Sequence, residues 1–259
     1  MTKTTLTEAI QKRLNEGEKA FIPYIMGGDG SLKEQILFLQ SAGATAIEVG
    51  IPFSDPVADG PTIQRAGERA LQNGLTLRTI LEELTVIRDE VTIPLIIMSY
   101  INPILSYGID AFAQACTKSG VYGLIAPDVP LEESELLENA LLETDVALVQ
   151  LVSLTSPPGR IEKIVAAGEG FIYAVTVNGI TGVRDGFNDQ LEQHLKHLKN
   201  ISPVPVLAGF GISTPEQVKS VGSLADGVIV GSAIVEAFHQ NELEKIQELV
   251  QASKKEVLN

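Results

Sequence analysis

The chain is short of several residue types that particular functions need. It has 259 residues but one cysteine, three histidines and no tryptophan. A lone Cys116 excludes an internal disulfide, and its place in the helical stretch Phe112-Ala113-Gln114-Ala115-Cys116 reads as a small packed hydrophobe, with no catalytic role. His194 and His197 lie three apart in one helical pattern; without a further ligand set they read as a solvated helix face, and no metal site is expected. Basic residues are scarce, 19 against 33 acidic ones, for a formal net charge of −14. That balance supplies no basic patch to displace counterions, so neither nucleic acid nor an anionic membrane is an expected partner. A small anion is still accommodated, because helix N-termini and glycine turns bind phosphate through backbone N–H groups. No apolar run approaches the roughly twenty residues needed to cross a bilayer. The start, Met1-Thr2-Lys3-Thr4-Thr5, is polar, and the expected location is the cytoplasm.

What the chain does have is repetition. Apolar, β-branched runs recur at Phe21-Ile22, Ala46-Ile47, Leu95-Ile96-Ile97, Gly123-Leu124-Ile125, Leu148-Val149-Gln150-Leu151, Phe171 to Val175, Val204 to Leu207 and Gly227 to Val230, with amphipathic helical stretches between them. Ser31 with Glu34, and Thr214 with Pro215 and Gln217, read as capping boxes. Gly43, Gly120, Gly168 and Gly222 each precede a strand and read as left-handed helix ends. Eight strand-loop-helix units with strands apolar throughout predict a parallel sheet closed into a (β/α)8 TIM barrel, of the α/β class. A helix over Thr5 to Leu14 precedes the first strand, and an extra helix containing Gln64 to Leu71 follows the second. Neither has a linker composition, so residues 1–259 read as a single TIM-barrel domain. The rival open sheet lacks its early Gly-x-Gly-x-x-Gly turn.

The most informative segment is Glu48-Val49-Gly50-Ile51-Pro52-Phe53-Ser54-Asp55-Pro56-Val57-Ala58-Asp59-Gly60-Pro61. It sets Glu48 at the C-terminal end of the second strand and Asp59 on the loop behind it, the face where barrel enzymes keep their chemistry. Two acids so placed let one give a proton while the other holds charge. Alone, either acid reads more readily as a rim residue or a turn cap than as a catalytic group. Three glycine turns follow the last three strands: Ile180-Thr181-Gly182, Gly209-Phe210-Gly211-Ile212 and Gly231-Ser232-Ala233. Together they match the recurrent phosphate site of such barrels.

These residues resemble the α subunit of tryptophan synthase along nearly the whole chain. The similarity runs from Phe21-Ile22-Pro23-Tyr24 through the Glu48 to Pro61 segment, Asn102-Pro103-Ile104, Pro127-Asp128-Val129-Pro130 and Gly179 to Gly182 to the last two glycine turns. The resemblance implies a lyase that cleaves indole-3-glycerol phosphate to indole and glyceraldehyde 3-phosphate by a retro-aldol reaction in tryptophan biosynthesis. Glu48 would shuttle protons and Asp59 would accept the indole N–H. Phe21, Ile63, Met98, Tyr173 and Phe210 would line the indole slot, and Thr181, Gly182, Gly211, Gly231 and Ser232 would meet the substrate and its phosphate. The implied partner is a β subunit in an α2β2 complex, with pyridoxal phosphate held by that partner and no cofactor in this chain. The segment Asn178 to Asn188, rich in glycine, reads as a lid. Gly27-Gly28-Asp29-Gly30, Tyr122 and Thr176-Val177-Asn178 depart from the family's usual pattern. Two rival readings are another sugar-phosphate barrel enzyme, against which the uninterrupted Pro-Phe-Ser-Asp loop speaks, and a regulatory binding subunit, against which the pair of acids speaks.

Overall fold

The computed structural model describes residues 5–175, 185–209 and 211–254. Its strands are β1 (Ala20–Met26), β2 (Ile47–Gly50), β3 (Leu95–Met98), β4 (Val121–Ile125), β5 (Ala147–Leu148), β6 (Gln150–Ser153), β7 (Ile172–Val175), β8 (Val206–Gly209) and β9 (Gly227–Val230). They form one parallel sheet in the order β5-β4-β3-β2-β1-β9-β8-β7-β6. Only Val149 separates β5 from β6, and the two occupy one barrel position. The lower piece pairs with β4, the upper piece with β7, and the Val149 N–H bridges to the Leu124 carbonyl at 2.9 Å. The architecture is therefore the expected TIM barrel, with its fifth position split between its two neighbours.

Side-chain alternation builds two apolar layers. Phe21 and Ile25 of β1, with Ile47 and Val49 of β2, face outward into the layer shared with the helices. Ile22 of β1 faces inward with Ile96, Ile125, Val149, Tyr173, Leu207 and Ile229. The helix Thr5–Asn15 closes the N-terminal end of this interior by contributing Leu6 and Ile10, both essentially fully buried. At the other end the inward positions are Tyr24 and Met26, which pack with Ile63, Ala66, Ala70 and Val235.

After β2 come two helices, Pro61–Gln72 and Leu77–Ile87, of which the first is the extra one. The first starts with proline at its N-terminal position, where the missing N–H costs nothing. A further short helix, Ile101–Tyr107, follows β3, with Pro103 in its first turn, where proline is compatible with a helix. Thr214 and Gln217 form the full capping box, whereas Ser31 accepts from the Glu34 N–H without the reciprocal bond. Gly43 and Gly120 end their helices in the left-handed conformation. Gly168 and Gly222 do not. Gly222 lies inside the helix Pro215–Leu224, which runs on beyond it, and at Gly168 a Cβ would stand 2.6 Å from Ile172 Cδ1, so close packing is what requires glycine there. The unusual first loop also has a physical reason. Gly28 and Gly30 take φ of 90° and 104°, and Asp29 between them receives a two-pronged pair from Arg69 at 2.7 Å, tying this loop to the extra helix.

Candidate active site

Glu48 occupies the second residue of β2, in register with Tyr24 on β1 and Ile96 on β3. The alternation that sends Ile47 and Val49 outward sends its carboxyl into the barrel mouth, where it is 1% exposed and Oε2 has no hydrogen-bond partner. Burial, with a smaller contribution from the nearby charge of Asp59, pushes its pKa up to about 8. Asp59 stands half-buried on the loop that follows. Burial raises its pKa to about 6, and the Tyr100 hydroxyl, as a hydrogen-bond donor, restrains the rise. At neutral pH the site therefore holds one protonated carboxyl and one carboxylate, the division of labour that acid-base chemistry requires.

Both acids open into a cavity of about 500 Å³. Ile63, Met98, Tyr173, Gly211, Gly231 and Ser232 line it as well, so eight of the twelve expected site residues meet in one place. Thr181, Gly182 and Phe210 lie outside the described residues, as does most of the Asn178 to Asn188 segment. Phe21 does not reach the cavity. It points into the strand-helix layer, and the β1 residue in the mouth is Tyr24, three positions on. Every residue of β1 is buried, so no polar face marked which parity looks inward.

Tyr24 is thus a further site residue, in the same Phe21-Ile22-Pro23-Tyr24 segment as Phe21. Its ring fits only because position 50 is glycine: a Cβ there would lie 1.9 Å from the Tyr24 hydroxyl. Gly209 makes the same allowance for Tyr173, where a Cβ would lie 2.5 Å from the hydroxyl. Across the cavity the helix Ser232–His239 begins at Gly231, and its first N–H groups lack intrahelical acceptors by construction. Gly211 faces it with φ of 76° and open space where a side chain would be. The N-terminus and this turn together favour an anion. No group of three or more His, Cys, Asp or Glu side chains among the described residues is arranged to hold a metal ion.

Comparison with known proteins agrees with this geometry. The model of the tryptophan synthase alpha chain family matches residues 10–258. The chain belongs to that family. It is 50% identical over 250 residues to the tryptophan synthase alpha chain of Bacillus thuringiensis subsp. konkukian, covering 95% of this chain and 97% of the relative, and the Bacillus anthracis chain matches to the same extent. Among solved structures, the tryptophan synthase alpha subunit of Legionella pneumophila superposes with a TM-score of 0.86 at 33% identity, over 97% of this chain and 98% of that one. A tryptophan synthase chain from M. tuberculosis superposes with a TM-score of 0.87 at 31% identity, over 97% and 98%. As a tryptophan synthase alpha chain this protein is a carbon-carbon lyase that cleaves indole-3-glycerol phosphate to indole and glyceraldehyde 3-phosphate in tryptophan biosynthesis.

Proposed function

We propose that Glu48 and Asp59 carry this cleavage between them. The protonated Glu48 gives its proton to indole C3, which makes the ring a cationic indolenine. The resulting Glu48 carboxylate then takes the proton of the side-chain hydroxyl. As that oxygen forms the aldehyde carbonyl, the carbon-carbon bond breaks and its electron pair returns to the ring, releasing neutral indole. Glu48 ends protonated, ready for the next turn. Asp59 accepts the indole N–H and stabilises the positive charge while it lasts. The observation that carries this reading is the pair itself: two carboxyls at one cavity whose environments push them to either side of neutrality.

Ile63, Met98, Tyr173 and Phe210 serve as the apolar walls for the indole, and Tyr24 takes the place expected of Phe21. Gly211, Gly231 and Ser232, together with Thr181 and Gly182, hold the phosphate. The chain acts as a single-domain subunit of an α2β2 complex in the cytoplasm, with pyridoxal phosphate confined to the β subunit; no step assigned to this chain calls on a cofactor. The family membership supports the partner, and the exposed tip of the Asp59 loop, where Val57 is 85% exposed, suits a surface that a partner covers. The test is indole release by Glu48→Gln and Asp59→Asn. Both should lose at least a hundredfold in turnover while still binding glycerol phosphate. Turnover of Glu48→Gln within tenfold of wild type would remove Glu48 from the proton transfers.

A further inference from the structure

Asp59 has few fixed points of its own. Its N–H donates to the Pro56 carbonyl at 3.2 Å and its carbonyl accepts from Gln64 Nε2 at 2.8 Å, both within the same loop and the helix that follows it. Besides the Ile51 N–H, which donates to the Met98 carbonyl at 2.9 Å where the loop begins, the loop is tied to the end of β3 through Tyr100, two residues beyond that strand. The Tyr100 hydroxyl accepts from the N–H of Ala58, the residue before Asp59, at 2.9 Å, and its proximity restrains the rise in the Asp59 pKa. Its ring packs against Phe53 from the start of the same loop, with centroids 5.2 Å apart and planes tilted by 31°. One side chain therefore touches the loop at both ends of its excursion.

Tyr100 is itself held rigidly. It is 4% exposed. Ser99 Oγ donates to its carbonyl at 2.9 Å, and the Ser99 N–H donates to the Ile125 carbonyl at the end of β4. The next N–H, of Ile101, donates to both oxygens of Asp128 at 3.0 and 3.2 Å, which caps the helix Ile101–Tyr107 from the loop after β4. The ends of β3 and β4 thus fix the backbone on both sides of Tyr100, and its hydroxyl ties that fixed backbone to the Asp59 loop at Ala58.

From this geometry we infer that Tyr100 is the positioning residue for Asp59, holding its carboxylate at the height of the substrate's indole N–H by fixing Ala58 and Phe53 of the loop that carries it. The inference rests on the role proposed above for Asp59. The charged and titratable groups facing Asp59 are Glu48 from β2, Tyr24 from β1 and Tyr100 from the segment after β3, with Asp128 beyond Tyr100. Of these, Tyr100 is the group that lowers the Asp59 pKa.

The test is Tyr100→Phe in the full chain, which removes one oxygen and leaves the ring against Phe53. Loss of the hydroxyl's hold on Ala58 should cut kcat for indole release by about tenfold or more, with KM changed by less than about threefold. The acid limb of the kcat profile should also move to higher pH, because Asp59 loses the hydroxyl whose proximity restrains the rise in its pKa. A merely structural role would not move that limb. Tenfold lower activity with an unmoved limb would overturn the inference, as would kcat within twofold of wild type. The same substitution made in Asp59→Asn should cost less than about twofold further, since the group it positions is already gone. An equal tenfold loss in both backgrounds would show that Tyr100 acts apart from Asp59 and would sink this inference alone; the role of Asp59 is decided by Asp59→Asn on its own.

Discussion

Glu48→Gln should make the protein more stable as it makes it inactive, and by an amount that depends on pH. The buried carboxyl has its pKa raised from 4.5 to about 8. In the unfolded chain it ionises near 4.5, so ionisation favours the unfolded state. The stability penalty is absent below 4.5 and grows as pH rises toward 8, where the folded group finally ionises too. Between 4.5 and 7 lie 2.5 pH units, and at about 1.4 kcal/mol per unit the penalty at pH 7 is about 3 kcal/mol. Glutamine keeps the shape and carries no such penalty. Its amide must still sit where Oε2 has no partner, which returns about 1 to 2 kcal/mol. The net gain at pH 7 is then about 1 to 2 kcal/mol, equivalent to roughly 2 to 8 °C in Tm for a chain of this size. Urea unfolding of both proteins at pH 5 and at pH 7.5 measures it. The variant should gain on wild type by about 2 kcal/mol or more between those two conditions. An identical difference at both pH values would refute the reasoning, because it would mean that Glu48 is ionised in the folded protein throughout.

Other substitutions probe the rest of the site. Gly50→Ala sets a methyl 1.9 Å from the Tyr24 hydroxyl, so the ring or the strand must move; a loss of about 1 to 3 kcal/mol in stability and at least tenfold in kcat/KM is expected, and wild-type values would mean that the cavity wall is not built as described. Ser232→Ala should weaken glycerol phosphate binding several-fold with little change in kcat, which equilibrium titration reads directly; an unchanged Kd would count against the anion site. Adding the tryptophan synthase β subunit should raise indole formation by the isolated chain about tenfold or more, equivalent to about 1.4 kcal/mol of coupling. Equal turnover with and without it at saturating substrate would make this a free-standing indole-releasing lyase.

The barrel and its acid pair were legible because their signals are local and redundant. Eight apolar runs with capped helices between them admit few topologies, and Glu48 and Asp59 sit in one continuous proline-rich segment that fixes their spacing. What escaped was information that only pairing between strands supplies. Phe21 and Tyr24 differ in parity, and on a strand buried on both faces nothing in the composition says which one looks inward. The division of the fifth strand at Val149 depends on which neighbour each half bonds, and its sequence is apolar on both sides of the break. Tyr100 carried no motif at all. Its importance comes from two backbone anchors, Ile125 and Asp128, that lie more than twenty residues away in the chain. The glycines divided along the same line: Gly43 and Gly120 are required by backbone conformation at helix ends, which sequence announces, whereas Gly50 and Gly209 are required by tyrosine side chains arriving from other strands.

The central claim is that Glu48 is a proton donor at neutral pH, and the alkaline limb of the pH dependence of kcat/KM for indole release tests it most directly. With the Glu48 pKa at about 8, kcat/KM should be level just below that pH and fall about tenfold per unit above it. The residual activity of Glu48→Gln should show no such limb. A wild-type profile that stayed flat from pH 7 to beyond pH 9 would mean that the reacting form of Glu48 is the carboxylate, and the assignment of the first proton transfer would have to be abandoned.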